Sequence, residues 1–183
     1  MDKPFALGIL VGRFQTLHAG HQQMIETALS LCDQVGIFVG SSQESGTQKN
    51  PFPYALRKRM LEKLFGDRVS IYPLPDIGVG NTAVWGDYVL ENVMQCFGRM
   101  PDLLVSGKEA RRLDWFDSVA GVRIAELYIP KTVEISASQM RQFLVRDDRE
   151  SWERYVNPKM HALYPELRAL VLASQGNKDT MSV

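Results

Sequence analysis

Two of the three histidines of the chain, His18 and His21, stand three residues apart within the segment Gly12-Arg-Phe-Gln-Thr-Leu-His-Ala-Gly-His21. The segment follows the apolar run Phe5–Val11 and precedes apolar residues at helical spacing, so the pair sits where a strand gives way to a helix. The first turn of a helix leaves backbone N–H groups unpaired, and imidazole N–H groups beside them make a surface for an anion. Arg13 adds a fixed positive charge, and Gly20 lets a bulky ligand approach the main chain. Phosphate fits this set best. A plain helix start with a partly exposed histidine pair explains the tetrapeptide equally well when it is taken alone. Zinc has less support, because His161, Cys32 and Cys96 are scattered and supply no further ligands at metal-site spacing.

A second candidate is Ile135-Ser-Ala-Ser-Gln-Met-Arg141, with Ser136 or Ser138 as a natural N-cap and Arg141 in the first helical turn. Alone it is an ordinary capped amphipathic helix; on the same sheet as the histidine pair it becomes a second phosphate-binding helix end. The chain has no GxGxxG fingerprint, no P-loop Gly-Lys-Ser/Thr and no GxSxG elbow. Ordinary dehydrogenase, ATPase and serine-hydrolase readings therefore drop out.

The elements that must position these residues alternate. Apolar runs at Phe5–Val11, Val35–Val39, Val69–Tyr72, Leu103–Val105 and near Arg123–Leu127 read as strands. Helical patterns lie between them: from His21 to Cys32, from Pro53 to Phe65, from Val84 to Phe97 and, briefly, near Lys108–Phe116. Repeated βα units predict an α/β fold with a doubly wound parallel sheet. From Ser138 onward the pattern is helical, with Met140, Phe143 and Leu144, then Trp152 and Tyr155, then Met160, Leu163, Leu167 and Leu170 forming apolar stripes. One domain is expected over residues 1–173, with a disordered tail from Ser174 to Val183. In such a sheet the ligand lies beyond the carboxyl ends of the strands, where strand order reverses.

Composition narrows the partners. The 183 residues carry 21 basic and 21 acidic side chains, for a net charge of zero, with 45% hydrophobic residues. That balance argues against long nucleic acid or an anionic membrane surface as a partner. The run Phe5–Val11 is far shorter than the roughly 20 residues a membrane span needs and lacks the features of a signal peptide, so a cytoplasmic protein is expected. Cys32 and Cys96 both lie in helix-like patterns and are expected to be buried thiols. The run Arg57-Lys58-Arg59 reads as a solvated helix face.

The two motifs together resemble those of the nucleotidylyltransferase superfamily, HxGH after the first strand and ISxSxxR before the C-terminal helices. More closely, the chain is similar to archaeal-type nicotinamide-mononucleotide adenylyltransferases, a form also found in bacteria fused to a Nudix domain. The similarity extends to about Leu172 and includes Gly12-Arg-Phe-Gln, Val39-Gly-Ser-Ser-Gln43, Asn50-Pro-Phe52, Pro75-Asp-Ile77 with Asn81 and Trp85, Ser106-Gly107, and Asp147-Asp148 to Trp152. Lys49 stands where those enzymes commonly carry arginine, which keeps charge and loses the bidentate fork. The loop before Trp85 is one residue longer than the archaeal pattern, so the family's asparagine position falls on Asn81 or on Thr82. No Nudix box is present.

The resemblance implies a Rossmann-like fold and adenylyl transfer from ATP to nicotinamide mononucleotide, giving NAD and pyrophosphate. It implies that His18, His21, Arg13 and Arg141 are the catalytic groups. ATP contacts would come from Gly12, Phe14, Gly20, Ser106, Gly107, Lys108, Ile135, Ser136 and Ser138. Mononucleotide contacts would come from Ser41, Lys49, Asn81 and Trp85, the indole stacking on the pyridine ring. From spacing alone Trp85 serves equally as core packing beside Tyr88 and Val89. Mg²⁺ is expected on the ATP phosphates rather than in a protein-built site, and a homo-oligomer is implied by the family alone. Another phosphate acceptor (nicotinate mononucleotide, FMN or phosphopantetheine) and a non-catalytic nucleotide sensor are the competing readings.

Overall fold

The run Phe5–Gly12 is apolar on both sides because it forms the middle strand, β1, of a five-stranded sheet. In the computed structural model, which describes residues 2–107, 115–116 and 124–177, Leu7 and Ile9 are buried on one face of this strand and Leu10 on the other. The chain continues through α1 (Ala19–Leu31), β2 (Cys32–Gly40), α2 (Tyr54–Phe65), β3 (Ser70–Leu74), α3 (Ala83–Phe97), β4 (Leu103–Ser106) and β5 (Ala125–Tyr128). Three helices follow, α4 (Ala137–Arg146), α5 (Arg149–Arg154) and α6 (Tyr164–Ala173). Every strand pairing is parallel, in the order β3-β2-β1-β4-β5. The doubly wound sheet read from the alternating pattern is therefore present, and strand order reverses between β1 and β4.

The two faces bury different sets. Leu10, Val35, Ile37, Val39 and Val105 pack against Ile25 and Ala28 of α1, Leu56, Met60 and Leu61 of α2, and Met140, Leu144, Trp152, Leu167 and Val171 of the C-terminal helices. Leu7, Ile9, Phe38, Leu74 and Leu104 pack against Trp85, Val89 and Val93 of α3 and against Trp115. Gly86 lets this second face close: a Cβ there would lie 1.6 Å from the Trp115 carbonyl oxygen, so only a glycine admits that main chain against α3.

Several boundaries differ from the sequence expectation. Helix α1 stops at Leu31, and Cys32, which continues the apolar stripe, instead begins β2 with extended backbone (φ −122°, ψ 141°). Cys32 is buried as expected, whereas Cys96 is only half-buried on α3. The chain after α6 is not slack from Ser174: that side chain is buried and donates to the Leu170 carbonyl, while Asn177 donates from Nδ2 to the Gly46 carbonyl and accepts from the Gln48 amide. Residues 178–183, and most of the short helix expected near Lys108–Phe116, lie outside the described residues. No helix among the described residues is long and apolar enough to cross a membrane.

Candidate active site

A cavity of about 640 Å³ opens at the carboxyl ends of β1 and β4, within the range typical of small-molecule sites. It is lined from the β1–α1 loop by Gly12, Arg13, Phe14, His18, Gly20 and His21, and from α4 by Ala137, Ser138 and Arg141. The loops after β2 and β3 contribute Ser41, Lys49, Asn50 and Asn81, and Trp85, Ser106, Gly107 and Ile135 complete the expected set. Among the described residues one expected residue does not line it. Ser136 is taken up in capping α4, its Oγ accepting from the Gln139 amide at 3.2 Å and donating to Gln139 Oε1. Lys108 lies outside the described residues.

His18 occupies the N-cap of α1 with extended backbone (φ −143°, ψ 174°), and its Nδ1 accepts from the Gly20 amide at 3.2 Å. An accepting Nδ1 leaves the proton of the neutral ring on Nε2, where it is a donor. Gly20 makes room for this cap, since a Cβ there would meet the His18 ring at 3.1 Å. The glycine therefore serves the histidine, and not only the approach of a ligand. His21 lies with its ring centroid 3.9 Å from that of His18 and 5.0 Å from that of Phe14. Its Nδ1 is buried without a hydrogen-bond partner among the described residues.

Burial, then the charge of Lys131, holds the His18 pKa down to about 4; burial, then His18 itself, holds His21 well below the ordinary imidazole value. Both rings are neutral donors at physiological pH. Because the unfolded chain binds the His18 proton near the ordinary 6.5 and the folded chain only near 4, the stability contributed by the neutral ring is intact above about pH 6.5 and is lost as pH falls toward 4. Urea-unfolding midpoints should fall across that window, and His18→Asn should make the decline shallower. An unchanged slope in the variant contradicts the assignment.

Arg13 reaches Asn50 Oδ1 at 3.4 Å, and Arg141 crosses from α4 to the β1–α1 loop, donating to the Gln15 carbonyl and, at 3.2 Å, to Ser138 Oγ. Two arginines from opposite ends of the chain and two neutral imidazole donors thus border one cavity at the switch point. The sequence profile of the family described as cytidylyltransferase-like matches residues 9–143.

The chain belongs to the cytidylyltransferase-like family.

Among curated relatives, a nicotinamide-nucleotide adenylyltransferase of Aeropyrum pernix is 33% identical over 168 residues, covering 87% of this chain and 90% of that protein. One of Thermococcus kodakarensis is 29% identical over 180 residues, covering 89% and 84%. Among solved structures, a bifunctional NMN adenylyltransferase/ADP ribose pyrophosphatase from Francisella tularensis, complexed with AMP and a manganese ion, superposes with a TM-score of 0.74 at 23% identity. That match covers 92% of this chain and 52% of the other, so the chain spans about half the length of the bifunctional protein.

In this cytidylyltransferase-like chain some expectations change. Arg57 is not on a solvated face: it is 0% exposed, and its guanidinium bonds main-chain carbonyls beneath the cavity. Lys58 and Arg59 do face solvent, bridging to Glu62 and Glu166. Trp85, 9% exposed, packs edge-on against Trp115 at 6.4 Å and also lines the cavity, so it is both a core residue and part of the cavity wall. Asn81 lines the cavity, whereas Thr82 stands at the N-cap of α3 and donates from Oγ1 to the Val79 carbonyl at 3.2 Å. Lys131, Gln23 and Glu44 also line the cavity and were not singled out from the sequence; Asp76 of the Pro75-Asp-Ile77 motif lines it as well. Lys131 follows Pro130 just after β5, and only that strand's end, beside β4, marks it as near the site. Among the described residues no group of three or more His, Cys, Asp or Glu is placed to hold a metal ion.

Proposed function

We propose that residues 1–173 form a nucleotidylyltransferase domain that transfers the adenylyl group of ATP to the 5′-phosphate of nicotinamide mononucleotide, giving NAD and pyrophosphate. The observation that carries this reading is the convergence of Arg13, His18, His21 and Arg141 on one cavity whose wall also includes Trp85 and Asn81. The names of the relatives support the same reaction.

The acceptor oxygen attacks the α-phosphorus of ATP, the bond from that phosphorus to the oxygen bridging the β-phosphate breaks, and pyrophosphate leaves in line. A phosphate monoester loses its second proton near pH ~6, so the nucleophile is already an anion and needs no general base. Two neutral imidazoles suit this chemistry, since they donate to phosphate oxygens without having to accept a proton. The work left to the protein is bringing two polyanions together and stabilising charge in the transition state. Arg13 bridges the reacting phosphates, His18 and His21 donate to the α-phosphate region, and Arg141 with Ser138 holds the β- and γ-phosphates; Ser136 acts by capping α4. Lys131 adds a further cation. Gly12, Phe14, Gly20, Ser106, Gly107 and Ile135 border the adenosine and phosphates. The donor substrate is MgATP, its cation held by phosphate oxygens and water. Trp85 stacks on the cationic pyridine, with Asn81, Ser41 and Lys49 completing the acceptor end.

The deciding experiment incubates the protein with MgATP and, separately, nicotinamide mononucleotide, nicotinate mononucleotide, FMN or phosphopantetheine, and follows pyrophosphate and product. Preferential NAD formation supports the reading. Preference for nicotinate mononucleotide keeps the stacking role of Trp85 and changes only the ring substituent; transfer to FMN or phosphopantetheine instead keeps the phosphate site and removes that role, while no product with any acceptor points to a nucleotide sensor. Within this reading Asn81→Ala should raise the mononucleotide KM about fivefold to tenfold, the size of one lost hydrogen bond, and Thr82→Ala should leave it nearly unchanged. The reverse order would assign the acceptor contact to Thr82.

A further inference from the structure

The geometry points to Arg57 as a positioning residue of the transfer reaction: its buried guanidinium ties the main chain at the carboxyl ends of β1 and β2 and so sets the direction of Arg13 and the shape of the Ser41 turn. The inference rests on the reaction proposed above. Nη1 donates to the Arg13 carbonyl at 3.0 Å and to the Gly40 carbonyl at 2.8 Å; Nη2 donates to the Ser41 carbonyl at 2.9 Å and reaches the Glu44 carbonyl at 3.5 Å. One side chain on α2 thereby joins two crossover loops, one carrying Arg13 and the histidines, the other carrying Ser41, Lys49 and Asn50.

Those carbonyls need such a partner. Arg13 directly follows β1, and Gly40 is the last residue of β2, where the ladder to β3 ends at its pairing with Leu74. Phe14 (φ +51°) and Ser41 (φ +46°) both adopt the left-handed conformation, sparsely populated by residues other than glycine and sustained only where surrounding contacts hold it. A buried carbonyl left unpaired is costly, and water does not reach the fully buried Arg57 to substitute. A planar guanidinium has five donors directed along fixed lines and serves separate carbonyls at once. A lysine ammonium in the same place keeps the charge but gathers its donors on one nitrogen.

The fixed carbonyls determine where the loop side chains go. With its carbonyl held inward by Arg57, Arg13 extends to the cavity wall and Asn50. Freed from that bond, the peptide between Arg13 and Phe14 loses a contact that holds its turn, and displacement of a phosphate-binding arginine by about 1 Å costs on the order of 100-fold in rate.

The test compares Arg57→Lys, Arg13→Ala and the double variant in the full chain, with kcat and both KM values expressed per folded molecule from unfolding curves. Arg57→Lys should lower kcat on the order of 100-fold while changing the KM for ATP far less. In the Arg13→Ala background the same substitution should cost little more, because it acts through a group already removed. Wild-type turnover per folded molecule in Arg57→Lys, or full additivity with Arg13→Ala, overturns the proposal. Arg57→Gln is measured in parallel; if neither variant folds, Arg57 is a core requirement and the positioning role is rejected. Should the wild type form no dinucleotide with any acceptor, the reaction reading fails separately. Arg57 is then judged by MgATP affinity in calorimetry, where the same non-additivity with Arg13→Ala is expected and additive losses reject it.

Discussion

His21→Ala lowers kcat on the order of 100- to 1,000-fold in a chain that remains folded, with a smaller change in the KM for ATP. The expectation follows from where the ring sits. Its centroid lies 3.9 Å from that of His18 and 5.0 Å from that of Phe14, and its buried Nδ1 makes no hydrogen bond among the described residues, so packing holds the ring while the residue lines the cavity. Burial keeps it neutral. A neutral donor fixed beside the transferring phosphate is worth most when charge accumulates there, and this makes the loss appear in kcat. His21→Gln, which retains an N–H of similar reach, should recover part of the rate. Near-normal turnover in a folded His21→Ala chain would remove the electrostatic role of the pair.

Trp85→Ala has two effects that separate experimentally. The side chain is 9% exposed and packs on Trp115 and Tyr88, so its loss from the α3 face destabilises the chain by about 3–5 kcal/mol. Its edge in the cavity wall adds a second loss, a rise in the mononucleotide KM of roughly tenfold to a hundredfold, with less change for ATP. Trp85→Phe keeps much of the packing and part of the stacking, so it should restore stability more fully than affinity. Equal weakening of both substrates by Trp85→Ala, measured where the variant is folded, would leave only the packing role.

The parts of the site legible in the sequence are those whose chemistry is contiguous. His18, Gly20 and His21 form one turn, and Ser136, Ser138 and Arg141 form another; each motif brings a capping residue and a polar side chain of the cavity wall together within one helix start. The sheet was legible for a similar reason, because a strand buried on both faces reads as an unbroken apolar run. Arg57 was not legible. Three consecutive cations on a helix look like a solvated face, and what buries the first of them is a set of carbonyls at Arg13, Gly40 and Ser41, contributed by loops distant in sequence. Backbone acceptors leave no trace in side-chain types. The junction of α1 and β2 was missed because Cys32 satisfies the apolar pattern of the helix and of the strand alike. Ser174 and Asn177 read as part of a disordered tail because their partners are main-chain groups at Leu170, Gly46 and Gln48.

The tryptophans occupy two kinds of surroundings: Trp85 and Trp115, edge-on to one another, line the cavity, and Trp152 is sealed in the opposite face of the sheet with its ring edge-on to Tyr164. The chain therefore carries an intrinsic optical probe. In the reaction proposed above, a pyridinium stacked on Trp85 would accept an electron from the excited indole and darken it, with Trp115 6.4 Å away affected too, while Trp152 would continue to emit as an internal reference. Binding of the mononucleotide should then be detectable by emission in the unmodified protein, before any bond is made; emission unchanged on saturation with mononucleotide would remove Trp85 from the acceptor end.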